Sequence, residues 1–81
     1  MLLTPAAARE LRVLTPVMKR RVQAVFVRLE SWPATSGAKP LRHALVGTFR
    51  IRTGDWRVVF RIDGDEVLVE RIAHRRDVYD S

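Results

Sequence analysis

Residues 49 to 60 read Phe-Arg-Ile-Arg-Thr-Gly-Asp-Trp-Arg-Val-Val-Phe, two strand-like runs separated by Gly54-Asp55. Side chains alternate across a strand, so Phe49 and Ile51 share one face and Arg50 and Arg52 the other. A two-residue loop at Gly54-Asp55 makes this a hairpin. It sets Thr53 opposite Trp56, Arg52 opposite Arg57, Ile51 opposite Val58, Arg50 opposite Val59 and Phe49 opposite Phe60. Directly opposed like charges cost a sheet up to about 1 kcal/mol. An anionic ligand gathered by Arg52 and Arg57 is the obvious compensation.

The pattern extends on both sides. Asp63-Gly64 accepts the backbone of a tight turn, so a third strand follows, and strands are expected at about Thr48 to Thr53, Trp56 to Ile62 and Glu66 to Ala73. That turn sets Phe60 beside Val67 and Val58 beside Val69 on one face. It sets Arg61 beside Glu66 and Arg57 beside Glu70 on the other. The apolar face collects Phe49, Ile51, Trp56, Val58, Phe60, Val67 and Val69. The opposite, open face carries Arg50, Arg52, Arg57, Val59, Arg61, Leu68, Glu70 and Ile72. Arg61 reads as a structural partner of Glu66, and Glu70 as an orienting partner of Arg57 or a salt bridge to it.

Upstream, the period is helical. Thr4-Pro5 and Thr15-Pro16 each join a good N-cap to a residue suited to the first helical position. One helix is expected from Pro5 to about Leu14, with Ala8, Leu11 and Leu14 on one side. A longer one runs from Pro16 to about Ser31, with Met18, Val22, Val25, Phe26 and Leu29 at helical spacing. Almost no loop joins them, so they fold back as an antiparallel pair. Arg9, Arg12, Lys19, Arg20, Arg21 and Arg28 fall on their outer faces. Pro33, Gly37 and Pro40 punctuate a loop from Trp32 to Leu41, with Trp32 against the core. The expected architecture is α+β: two helices on one face of a small antiparallel sheet.

Eighty-one residues with 47% hydrophobic content make one packed domain, residues 1 to 81. The chain has no cysteine, which excludes disulfides, thiolate metal sites and a cysteine nucleophile. Two separate histidines, His43 and His74, are too few for a metal centre, and no cofactor is expected. Neither a secretory signal nor a spanning segment is legible, so a soluble cytoplasmic protein is expected. Net charge is +6, from 15 Lys+Arg against 9 Asp+Glu. Such an excess favours nucleic acid or an acidic protein partner; a merely solvated basic surface is the other reading. Arginine predominates over lysine, and its planar fork suits phosphate and base stacking.

Taken in order, these pieces resemble the RelE toxin family of type II toxin-antitoxin systems, within the RelE/ParE superfamily. The resemblance rests on two amphipathic helices, the Gly-Ala-Lys-Pro-Leu segment, the run from Gly47 to Phe60, an Asp-Gly turn and the terminal His74-Arg-Arg-Asp-Val-Tyr79, and so covers nearly the whole chain. It implies a toxin that cleaves messenger RNA in the ribosomal A site without a metal. It also implies an antitoxin partner that wraps an extended, often acidic-rich segment over the toxin. Arg50, Arg52 and Arg57 match the family's basic positions on the hairpin, and Tyr79 its tyrosine near the C-terminus. Arg75 or Arg76 matches a further terminal arginine, and His74 sits where some members carry an acid/base residue. Lys39, Arg42, Arg75 and Arg76 are the expected RNA-contacting cations. The family opens with a full strand; here only Met1 to Leu3 precede the first cap, so that strand is expected to be very short or missing. The same fold also serves ParE-like toxins that bind DNA gyrase without a nuclease site, and a member that only binds its antitoxin is a third reading.

Metal-free cleavage needs attack by the 2′-hydroxyl, stabilisation of charge on the phosphoryl oxygens and protonation of the leaving 5′-oxygen. Preorganised cations suit the middle task, which falls to Arg50, Arg52 and Arg57. Arginine holds its proton too tightly to shuttle it. Proton transfer is therefore expected of His74 and Tyr79, and Tyr79 equally suits stacking on a base.

Overall fold

The computed structural model describes residues 1–35, 37–41 and 47–77; Arg42, His43 and Tyr79 therefore lie outside the described residues. Helix α1 spans Pro5–Arg12 and α2 spans Pro16–Leu29. Both begin on their Thr-Pro signals. The Thr4 Oγ1 accepts from the Ala7 amide at 3.1 Å and the Thr15 Oγ1 from the Met18 amide at 3.3 Å, each satisfying a donor that the first turn leaves open. Thr15 is extended, with ψ 157°, as a residue before proline prefers, so α1 stops short of Leu14. Beyond α2, single tight turns carry the chain through Ser31 and Trp32 to Pro33, where the helix cannot continue.

Five strands form one sheet: β1 (Leu2–Leu3), β2 (Lys39–Pro40), β3 (Thr48–Thr53), β4 (Trp56–Asp63) and β5 (Glu66–His74), in the order β1-β5-β4-β3-β2. The first strand is abbreviated, as expected, and runs parallel to β5, so the sheet is mixed. Strand β2 falls where a loop was expected. Its proline sits on a sheet edge, where a missing amide costs least. A 3₁₀ turn at Arg75–Asp77 follows β5.

The first hairpin has the expected register throughout, including Arg52 opposite Arg57. The second does not. The turn falls on Gly64-Asp65, with Gly64 at φ 61°, and Asp63 pairs with Glu66. Phe60 accordingly lies beside Val69 and Arg61 beside Leu68, not Val67 and Glu66. Sliding one residue on each side of the turn preserves which face each side chain takes, so Val67 and Val69 stay in the core. A bulge at Val59/Phe60 then changes the count: Val59 pairs with Arg71, Val58 with Ile72 and Arg57 with Ala73, leaving Glu70 as the extra residue. Ile72, expected on the open face, is buried in the core at 1% exposure. Glu70 is not opposite Arg57.

Both helices lie against the apolar sheet face. Ala7, Leu14, Val22, Val25, Phe26 and Leu29 meet Ile51, Val58, Phe60, Val67, Val69 and Ile72. Trp32 closes one end, its ring 5.0 Å from Phe49 and 5.3 Å from Phe60. Where β1 ends, α1 takes over the free edge of β5. The Thr4 hydroxyl donates to the Glu70 carbonyl oxygen at 2.9 Å, and the Glu10 carboxylate accepts from the Ile72 amide at 2.8 Å. The bulge is therefore held from the helix side.

Candidate nucleic-acid interface

Strand pairing determines which cations meet. Lys39 on β2 lies directly beside Arg50 on β3, and Arg52 lies beside Arg57 on β4. Thr48 lies beside Arg61. Direct cross-strand neighbours share a face, so Lys39, Arg50, Arg52, Arg57 and Arg61 all project from the side of the sheet away from the helices. The arginine set expected of the hairpin is thus assembled, and Lys39 joins it through a strand that the sequence hid behind Pro40. Among the described residues, no group of three or more His, Cys, Asp or Glu is placed to hold a metal ion.

This face is less open than expected. Arg50 and Arg57 are 3% and 7% exposed, whereas Arg52 is exposed. Position explains the difference: Arg50 is flanked by β2 and β4 and Arg57 by β3 and β5, while β2 ends before it reaches Arg52. Arginine stems pack against neighbouring chains readily and leave only part of the fork for a ligand. The Arg57 Nη1 donates to the Trp56 carbonyl oxygen at 3.3 Å. A guanidinium fixed by its own backbone and flanking strands is preorganised for an anion.

Arg61 does not pair with Glu66, because the register sets it opposite Leu68. Glu66 instead holds the Met1 ammonium at 3.1 Å. Arg71, which the sequence left unassigned, bridges to α1: its Nε and Nη2 reach Glu10 Oε2 at 2.8 and 2.7 Å. This hydrogen bond, more than the accompanying charge attraction, holds the Arg71 guanidinium above its ordinary pKa, against the opposing effect of burial.

His74 is placed differently from the arginines. It pairs with Trp56, and the two rings meet edge to face with centroids 5.5 Å apart. Trp56 packs against the core, so His74 lies on the helix side, at the end of β5. The His74 Nδ1 accepts from the Arg76 amide at 3.3 Å, which assigns the proton of a neutral imidazole to Nε2. Arg75 and Arg76 are exposed in the 3₁₀ turn. Arg75 ties that turn to the first hairpin: its amide donates to the Asp55 carbonyl oxygen at 2.7 Å and its Nε lies 3.8 Å from Asp55 Oδ1. Both therefore stand near the rim that Arg52 adjoins, while Tyr79 and Arg42 fall outside the described residues.

Known proteins are similar to this chain in sequence and fold. The family described as the ParE toxin of the type II toxin-antitoxin system parDE matches residues 1–79. The toxin RelG of Mycobacterium tuberculosis is 39% identical over 79 residues, 94% of this chain and 90% of its own. In the RelBE2 toxin-antitoxin complex of the same organism, one chain superposes with a TM-score of 0.74 at 35% identity, covering 93% of this chain and 96% of that one. The RelB-RelE complex of Methanococcus jannaschii gives a TM-score of 0.81 at 18% identity, over 98% of this chain and 95% of the other, which is a likeness of fold. On sequence and fold together, this chain belongs to the ParE toxin family of type II toxin-antitoxin systems, within the RelE/ParE superfamily.

Proposed function

We propose that the toxin is a metal-independent endoribonuclease that inhibits translation by cutting messenger RNA in the ribosomal A site. The observation that carries this reading is the register that gathers Arg50, Arg52 and Arg57 on one sheet face beside Lys39. Three forks and an ammonium on a rigid sheet suit a phosphodiester whose phosphoryl oxygens gain charge as the 2′-oxygen attacks. Arg57, fixed at Nη1, and its neighbour Arg52 hold the phosphate that is cleaved. Arg50 and Lys39 extend the contact along the strand, and Arg42, Arg75 and Arg76 hold flanking RNA. The toxin acts in the cytoplasm, and its partner is a cognate antitoxin with an acidic-rich segment; two of its structural relatives are described as antitoxin-toxin complexes.

In this reading proton transfer falls to Tyr79, with His74 assisting it. From the helix side His74 reaches RNA only around the end of β5, and with Nδ1 taken by Arg76 it presents Nε2–H, a donor. Its role in this reading is to steady the leaving oxygen, and Tyr79 is the group that exchanges a proton or stacks on a base.

A second reading, a ParE-like toxin that binds DNA gyrase without cutting RNA, is favoured by the family matched and by the separation of His74 from the arginine face. Induction in cells distinguishes the two. Mapping message ends on translating ribosomes by primer extension is expected to reveal new cuts at codons in the A site. No new ends, with accumulating gyrase cleavage complexes, would refute the nuclease.

A further inference from the structure

Two cations on the sheet face away from the helices are not used by the reading above: Arg71, which Glu10 holds, and Arg61. Arg61 lies on β4, four residues beyond Arg57 and on the same face, with Thr48 directly opposite it on β3. Glu66, its partner by sequence, is engaged with the chain's own amino terminus. Leu68, its partner by register, offers no charge. Among the described residues Arg61 has no ion-pair partner, and its buried Nε has no hydrogen-bond acceptor. Leaving a buried donor of this kind unmet is unfavourable for the free protein. A cation held this way, on a face already rich in cations, calls for an anion supplied from outside.

We infer that Arg61, opposite Thr48 on β3, forms a second phosphate position for single-stranded RNA, occupied by a different phosphodiester from the one at Arg52 and Arg57. Distance sets the division. Four residues of strand separate Arg57 from Arg61 by roughly 13 Å, more than one phosphate group can bridge. Arg50 and Lys39 lie in the single row between, so the face forms a track along β3 and β4. Arg61 thus acts on the binding and direction of the strand, and the bond at Arg57 is broken without it. This inference rests on the RNA-binding reading of the face, and its test separates the two.

The test is binding of 2′-O-methyl RNA, which cannot be cut, to the whole chain, followed by anisotropy over a range of salt concentrations. A hexanucleotide spans both positions and a dinucleotide, with its single phosphodiester, only one. For Arg61→Gln, hexanucleotide binding is expected to weaken by about tenfold. The slope of log K against log salt should fall by about 0.7, the value for one phosphate contact on a single strand, and dinucleotide binding should be unchanged. Arg61→Met keeps an unbranched apolar stem in the sheet and is expected to show the same losses as Arg61→Gln; it supplies the answer if the glutamine variant does not fold. Arg57→Gln should weaken both ligands. If Arg61→Gln matches wild type while Arg57→Gln weakens binding, the second position is refuted and the RNA reading stands. Equal losses for both ligands in Arg61→Gln would refute it too. A wild-type chain that binds neither ligand would refute the inference, whereas the ribosome-dependent reading stands or falls on the primer-extension test.

Discussion

Arg57 illustrates how much of this site one residue's surroundings decide. Its charge was legible from the strand alternation, and its neighbour Arg52 from the Gly54-Asp55 loop. Its burial was not: strands were expected on both sides of it, but the face was read as open, with Glu70 and not Ala73 as its neighbour on β5. Burial makes Arg57 rigid, and rigidity is what a charge-stabilising group needs. Arg57→Gln is therefore expected to slow cutting of ribosome-bound message by roughly a hundred- to a thousandfold, measured as a single-turnover rate on A-site-programmed ribosomes. Its circular dichroism melt should stay cooperative, since glutamine can keep one bond to the Trp56 carbonyl oxygen. His74 leads to a different expectation. Set on the helix side against Trp56, it does not share the sheet face of the arginines, so His74→Ala should cost the same rate less than tenfold, whereas Tyr79→Phe should cost more than His74→Ala. Equal, large losses from Arg57 and His74 would show that the end of β5 folds over the arginine face when RNA binds.

Among elements, the junction of α1 with β5 has the clearest energetic consequences. Thr4 and Thr15 look alike in sequence, each an N-cap before proline. Thr15 serves only its own helix, whereas Thr4 also donates to the Glu70 carbonyl oxygen at the bulge. Loss of a cap alone costs about 0.5–2 kcal/mol. Thr4→Ala should destabilise the domain by about 1 kcal/mol more than Thr15→Ala, a difference of roughly 4–8 °C in melting temperature for a chain of this size. Glu10 matters for the same reason. Glu10→Ala leaves the buried Ile72 amide and the Arg71 fork without their acceptor, and about 2 kcal/mol should be lost. Glu10→Gln keeps an oxygen for the amide and should lose less. The guanidinium of Arg71, raised above its ordinary value, stays charged at every pH below its own titration, so its side of this bond is lost only in strong alkali. These contacts also explain where sequence reading stopped. Periodicity revealed the helices, three strands and the first register, because each follows from neighbours in the chain. The turn at Gly64-Asp65 competes with Asp63-Gly64, where the residue types are equally suitable, and the bulge depends on α1 reaching β5 from sixty residues away. Ile72 and Glu70 were misplaced for that reason.

For the whole molecule, the question is how the charge of +6 is divided. Two sets of cations lie on opposite sides of the core. Arg50, Arg52, Arg57, Arg61 and Lys39 lie on the bare side of the sheet, and Arg9, Arg12 and Arg20 are exposed on the helices. The sheet set is held by strand geometry and can act on individual phosphates. The helical set sits on long exposed side chains and contributes a field, which raises encounter rates with a polyanion and is screened within about 10 Å at moderate salt. A triple change Arg9→Gln, Arg12→Gln and Arg20→Gln lowers the net charge from +6 to +3 without touching the sheet. Association with the ribosome should then slow several-fold at low salt and converge on the wild-type rate as salt is raised. Stopped-flow mixing with fluorescently labelled ribosomes measures this. If the toxin cuts as proposed, cutting by toxin already bound should be unchanged, because the removed groups lie on the helices and the proposed phosphate-holding groups on the sheet. An effect of the triple change on the bound-state rate, or one insensitive to salt, would mean that the helical face makes specific contacts, and the division between a steering face and a phosphate-holding face would have to be given up.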